Sequence, residues 1–396
     1  MTDDANEPPL SPALVALFAC GAGLSVSGLY LNQPILAAMA KELGATPAAI
    51  GFVPTLTQLG YATGILLFAP LGDRLDRRRV IVWKAALLAL ALLGAAAARS
   101  VPALGAASLG IGLFATLAQD FVPAAATLAP ARVRGRVVGT VMTGLLLGIL
   151  LSRLVSGALG ERFGFRAVFV AAAAAIVALG LVSLAKLPSI APTTREPYWT
   201  LLASIVRLAR DVAPLRHAAV AQALLSVAFS GFWSTLALAV ASPPFSLGST
   251  AAGAFGLAGA AGALIAPIAG ATADRRGPEA VIVLGALVVL ASFVVMGVWP
   301  GSLAILIAGT VTFDLGVQAC LISHQTIVYG LDPSARSRLN AVLVSTMFFG
   351  MSSGAALASR ALAHFGWSGV CALGALATLG ALVVRALPGA RAVRAP

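Results

Sequence analysis

The stretch Gly72-Asp73-Arg74-Leu75-Asp76-Arg77-Arg78-Arg79 packs six charges into eight residues, between two runs, 48–69 and 80–98, that are almost wholly apolar. About 20 residues at about 1.5 Å each cross the hydrocarbon core of a bilayer, so this pattern is that of a short polar turn between two membrane helices. Outward from it the same alternation continues in both directions. The apolar runs are 12–38, 48–69, 80–98, 102–128, 137–159, 166–187, 217–241, 250–270, 279–298, 302–329, 339–361 and 367–387. The sequence therefore predicts an all-α integral membrane protein with twelve transmembrane helices. Pro47 and Pro102 sit where helices can begin.

Composition supports this reading. Of the 396 residues, 59% are apolar and 10% are charged, against about 25% charged in a soluble domain, and mean hydropathy is +0.97. A soluble enzyme and a disordered chain are both excluded. Net charge +12 and pI ≈ 10.9 do not point to nucleic acid, because the basic residues lie between apolar spans, where anionic lipid headgroups meet them. Cys20, Cys320 and Cys371 lie in apolar stretches without a CxxC or a Cys/His cluster, so neither a metal site nor a disulfide framework is expected. Met1 to Pro9 is acidic and lacks lysine and arginine, and the apolar run after it is too long for a cleaved signal. It reads as an uncleaved first span.

Lysines and arginines set the orientation. With the N-terminus in the cytoplasm, 20 of the 26 fall in cytoplasmic segments, Lys84 among them, 5 fall outside, and Arg153 lies within a span. This is a strong positive-inside bias and places both termini in the cytoplasm.

The second half repeats the first. Arg134-Gly135-Arg136 matches Arg336-Ser337-Arg338, Gly148 matches Gly350, and Gly164-Phe165 matches Gly366-Trp367, all at an offset of 202. Asp73-Arg74 matches Asp274-Arg275 at an offset of 201. Six spans per half give both halves the same orientation, a parallel repeat about an axis along the membrane normal. The expected organisation is a six-helix half over 1–187, a cytoplasmic linker over 188–216 and a second half over 217–396. In the linker, Tyr198, Trp199, Leu202, Ile205, Val206 and Ala209 can share one helical face with Arg207 and Arg210 turned away, which reads as an interfacial amphipathic helix.

The segment Gly72 to Arg79 resembles the loop signature of the major facilitator superfamily, and Asp274-Arg275-Arg276-Gly277 resembles its second copy. Tyr30-Leu31-Asn32-Gln33-Pro34 and Asp314-Leu315-Gly316-Val317-Gln318 are similar to patterns of bacterial drug, nucleoside and sugar efflux permeases. So are His324-Gln325-Thr326, Leu331-Asp332-Pro333 and Arg336-Ser337-Arg338-Leu339-Asn340. Position 76 is aspartate where the signature usually has glycine. Span four lacks the arginine, and span five the glycine–proline pair, of many proton-driven antiporters. The resemblance implies the major facilitator fold, a monomer in the bacterial inner membrane, and a cavity lined by spans one, four, seven and ten. It also implies gating by Gly72, Asp73, Arg77, Arg78, Asp274 and Arg275, with the two halves closing on the cytoplasmic side.

Read from the residues, Asp120, Asp314 and Arg153 are the ionisable groups well inside spans. Each costs about 2.5–3.5 kcal/mol at mid-bilayer unless it faces water or a partner, which marks them as the coupling site for protons and substrate. Asp120 and Arg153 differ in depth along their helices by about 10 Å, which a long arginine side chain closes only in part, so a tight pair between them stays open. Candidate cavity residues are Tyr30, Asn32, Gln33, Gln58, Tyr61, Gln222, Ser226, Trp233, Gln318 and Gln325, a mixture of aromatic and amide groups suited to a neutral or weakly charged organic molecule with a planar part. His324 reads as a mouth-lining residue. The expected activity is secondary active transport of a small organic molecule by alternating access, with efflux by proton antiport. An importer working by symport or facilitated diffusion is the alternative, and a non-transporting receptor or lipid scrambler a more distant one. No HExxH motif and no P-loop occurs, so no enzyme, cofactor or built-in ATP-driven pump is expected.

Overall fold

The computed structural model describes residues 10–130, 132–192, 194, 196–263, 277–332 and 335–388. The described residues are helical with no strand. Local sequence signals set most helix starts. Ser11 caps α1 (Pro12–Ser27) by accepting from the amide of Leu14, with Pro12 in the first turn. The first span then breaks through residues 28–35, around Pro34, before a short α2 (Leu36–Glu42). Thr46 caps the single turn α3 (Pro47–Ile50), and α4 (Phe52–Arg74) follows it. Asp76 caps α5 (Arg77–Ala97), and Ser100 caps α6 (Val101–Ala115). Pro47 and Pro102 both lie in first helical turns, as their fixed φ favours.

The fourth span is split. α6 ends at Ala115, and α7 (Ala118–Leu128) resumes with Asp120 in its first turn. α8 (Arg134–Phe163) and α9 (Phe165–Lys186) complete the first half. α10 (Tyr198–Asp211) lies in the linker, followed by α11 (Ala213–Ala241), α12 (Ser249–Ala263), α13 (Pro278–Val298), α14 (Leu303–Leu331) and α15 (Arg336–Ala386). Nine helices among the described residues are long and apolar enough to cross a membrane. One of these runs through α15, whose 51 residues are broken by Gly366 at φ 64. Unbroken, it would reach about 76 Å, far more than one bilayer. It is two spans, matching the expected 339–361 and 367–387. Pro12–Ser27 is a shorter apolar helix, and α12 is described as far as Ala263.

The repeat is visible in backbone geometry. Gly164, between α8 and α9, has φ 81, and its partner at offset 202, Gly366, has φ 64. That left-handed region is natural only to glycine. Gly148 lies so close to α1 that a Cβ there would run into the backbone of Gly23, and its partner Gly350 meets the backbone of Ala223 on α11 in the same way. The α1–α8 contact of the first half is thus reproduced by α11 and α15 in the second.

The linker helix differs from its expected face. Ile205 is buried and packs with Leu208, Ala209 and Val212 against Leu215, Val328, Leu339 and Leu343, and the Tyr198 hydroxyl donates to the Leu67 carbonyl at 2.9 Å. Trp199 and Val206 point outward, 76% and 67% exposed. The predicted stripe is therefore divided, with Ile205 and Ala209 packed on protein and Trp199 and Val206 turned outward.

Candidate functional site

A cavity of about 560 Å³ lies between the two sets of helices. Its walls extend from Tyr30 and Tyr61, deep between the helices, to Gly72 and Arg77 at the α4–α5 turn and Tyr329 and Asn340 at the α14–α15 turn. These turns belong to the face richest in arginine, so the cavity reaches toward that face. The other face is packed shut. Gly157 on α8 lies against the backbone of Ser249 and Gly253 on α12. The Thr250 amide donates to Glu161 Oε2 at 2.6 Å, and Ser352 Oγ donates to the Thr55 carbonyl at 3.0 Å.

Of the residues proposed from sequence, Tyr30, Tyr61, Asp120, Gln222, Ser226, Gln318 and Gln325 line this cavity, with Gly72 and Arg77 at its mouth. The Tyr61 ring lies 4.4 Å from that of Phe348 on the opposite half, and Gln119 Nε2 donates to its hydroxyl at 3.0 Å.

Asp120 has a partner that sequence reading placed elsewhere. Lys84 Nζ lies 2.5 Å from Asp120 Oδ2. Lys84 is 1% exposed and Asp120 5%, and both line the cavity. Counting Lys84 with the cytoplasmic arginines, and Arg153 as the one base inside a span, is therefore corrected. Lys84 stands two turns into α5, and its stem crosses the apolar interior to a carboxylate on α7. The signal was present: a lone lysine inside the run 80–98 needs a partner at its depth. Gln119 was missed as well, because its role depends on the break between α6 and α7.

Asn32, Gln33, Gln58, Trp233, Asp314 and Arg153 form no part of the large cavity's wall. They are buried nearer the closed face. Arg153 Nε donates to Gln33 Oε1 at 3.1 Å. The Arg153 guanidinium lies 3.9 Å from the Trp233 ring centroid and 4.9 Å from that of Tyr30, a cation–π sandwich. Trp233 Nε1 in turn donates to Asp314 Oδ1 at 3.4 Å. Asn32 Nδ2 donates to Thr57 Oγ1 at 3.0 Å. Among the described residues Arg153 Nη2, Gln33 Nε2 and both amide atoms of Gln58 are buried without a partner, a cost tolerated at sites that rearrange or bind. Asp120 and Arg153 thus belong to two separate polar layers, each with its own partner. His324 is fully buried, with Nδ1 2.9 Å from Gln222 Oε1, and is not at the mouth.

In the loop signature, Arg77 Nε donates to the Gly72 carbonyl at 3.1 Å, and Arg78 donates to the Leu184 carbonyl. Asp76 accepts from the Arg78 amide at 2.9 Å, Ser189 Oγ at 2.7 Å and the Ile190 amide at 3.2 Å. Its partial burial pushes the carboxyl up, but these three donors and the charge of Arg79 outweigh that and hold it below the usual carboxylate range. The side chain of Asp73, and residues Asp274 and Arg275, lie outside the described residues. Among the described residues no cluster of ligating side chains could hold a metal ion.

An all-helical membrane fold with a repeated half, and a central polar cavity reaching one face, defines a membrane transporter. The chain belongs to the major facilitator superfamily, whose model matches residues 18–310. It is 39% identical to the uncharacterised transporter YgaY of Escherichia coli O157:H7 over 377 residues, 95% of each chain. It is also 37% identical over 369 residues to SCO4007 of Streptomyces coelicolor, named as a transporter, covering 92% of this chain and 85% of that one. Among solved structures it resembles the nucleoside transporter NupG, with a TM-score of 0.78 at 15% identity, covering 94% of this chain and 99% of the other.

Proposed function

We propose that this transporter exports a small organic molecule by alternating access, in exchange for protons, from the cytoplasm across the bacterial inner membrane, with both termini cytoplasmic. It works as a monomer built from halves 1–187 and 217–396 joined by the linker 188–216. The observation that carries the reading is the pairing of one accessible and one occluded polar layer. Lys84 and Asp120 stand on the wall of the cavity; Asp314 and Arg153 lie buried behind Trp233. When the halves rock, the packed face opens and the second layer meets water. Asp314 then takes up the incoming proton, Arg153 steadies it, and Asn32, Gln33 and Gln58 complete the site. Gly72, Asp73, Arg77, Arg78, Asp274 and Arg275 govern closure on the other side. An aromatic and amide lining of about 560 Å³ is within the range that encloses small organic ligands.

The test is uptake by inverted vesicles under an imposed pH gradient, screened over nucleosides, sugars and cationic drugs. Asp314→Asn is expected to abolish pH-driven uptake while substrate binding persists. Full coupling in this variant would remove Asp314 from the mechanism.

A further inference from the structure

We propose that Lys84 and Asp120 form an exchange site for an organic cation, in which the cation takes the carboxylate of Asp120 and Lys84 gives up its proton. This rests on the antiport reading above and names its substrate class. Lys84 is 1% exposed; among the described residues its ammonium has one hydrogen-bonding partner, Asp120, at 2.5 Å, and it lies 5.5 Å from the Phe68 ring. An ammonium buried this deeply is kept charged by its counter-ion, since desolvation alone favours the neutral amine. A second cation competing for Asp120 removes that support. The carboxylate–ammonium pair plus an organic cation then becomes a carboxylate–cation pair, a neutral lysine amine and one released proton. Charge balances, and no other reactant is needed.

The surroundings fit such a ligand. The cavity that Asp120 faces also presents the rings of Tyr30, Tyr61, Phe229 and Phe348, whose π faces attract cations. Arg77, whose Nε donates to the Gly72 carbonyl, and the phenols of Tyr30, Tyr61 and Tyr329 are the other titratable groups on the wall. Of the helices packed on α5, α6 carries no titratable side chain, α9 carries Arg166 and Lys186 only at its two ends, α7 carries Asp120 alone, and α4 carries Tyr61 with Asp73 and Arg74 in its last turn. Lys84 is therefore the proton-bearing group in direct contact with Asp120. It regains its proton when the cavity opens on the opposite face, from the proton that Asp314 takes up there.

The test is binding of tetraphenylphosphonium and ethidium to the purified full-length protein in detergent. Both probes are permanently charged, so any proton counted comes from the protein. Wild type is expected to release about one proton per cation bound in weakly buffered solution, with affinity rising about tenfold per pH unit. Lys84→Arg keeps a cation beside Asp120 but cannot deprotonate. It should bind at least about tenfold more weakly, with no proton release and no pH slope. Asp120→Glu should preserve the exchange and Asp120→Asn abolish it, with each variant confirmed to elute as wild type does. Wild-type proton release retained in Lys84→Arg would overturn the proposal. So would failure of wild type to bind either cation, or proton uptake accompanying the anionic probe benzoate. Because binding is read without a gradient, failed pH-driven uptake in vesicles bears on the efflux reading, and a retained pH slope in Lys84→Arg bears on this exchange.

Discussion

Asp76 occupies a position where the loop signature usually carries glycine, and the structure shows a use for its carboxylate. It caps α5 and binds Ser189 and Ile190 in the segment after α9, so one side chain ties the α4–α5 turn to the far end of the half. Removing a helix N-cap costs about 1 kcal/mol. Asp76→Ala should therefore lower the thermal midpoint of the purified protein at pH 7. The carboxyl is held below its usual range in the folded chain. Its contribution is complete above the unfolded carboxylate value of about 3.9 and is lost as pH falls through the lower folded value. The gap between variant and wild type should narrow below about pH 4. A gap that stays constant from pH 7 to pH 3 would show that the carboxylate's charge contributes nothing there. The sequence made Asp76 visible as a departure but gave no hint of its partners, which lie 113 and 114 residues away.

Between elements, membrane helices gain little from burying apolar surface against one another, since lipid is equally apolar, and they rely on close backbone approach at small residues. Gly23, Gly144 and Gly148 bring α1 and α8 into backbone contact, as Gly350 and Gly354 do for α15 on α11. Overpacking such a contact costs about 1–3 kcal/mol. Gly148→Val and Gly350→Val should each lower thermal stability by about that much, measured by unfolding in detergent. Equal stability of Gly139→Val, where open space surrounds the added carbon, is the internal control. If Gly148→Val were as stable as wild type, α1 and α8 would not meet backbone to backbone at Gly23 and Gly148. At this scale the sequence was largely legible: run lengths gave the spans, proline and serine or threonine marked the starts, and the offset of 202 gave the repeat. What it concealed was the break of the fourth span after Ala115 and the split face of α10. Both depend on which neighbours a helix meets, and no local pattern encodes that. Lys84 itself was legible as a lone charge inside the run 80–98, but its partner Asp120 on α7 was concealed for the same reason.

For the whole molecule, one face is sealed by α8 on α12 and by α4 on α15, while the cavity runs toward the other. Alternating access requires the seal to move to the opposite face, exposing the buried layer of Gln33, Arg153, Trp233 and Asp314. The central claim is that a single wet pocket between the halves is reached from both sides in turn. It is tested most directly by replacing Cys20, Cys320 and Cys371, placing one cysteine at Gln318 on the cavity wall, and applying a membrane-impermeant thiol reagent to each side of oriented vesicles. The account predicts modification from both sides, with a cysteine at the outward-facing Leu181, 63% exposed, left unmodified in the lipid. Modification of the Gln318 position from one side only, or from neither, would contradict it.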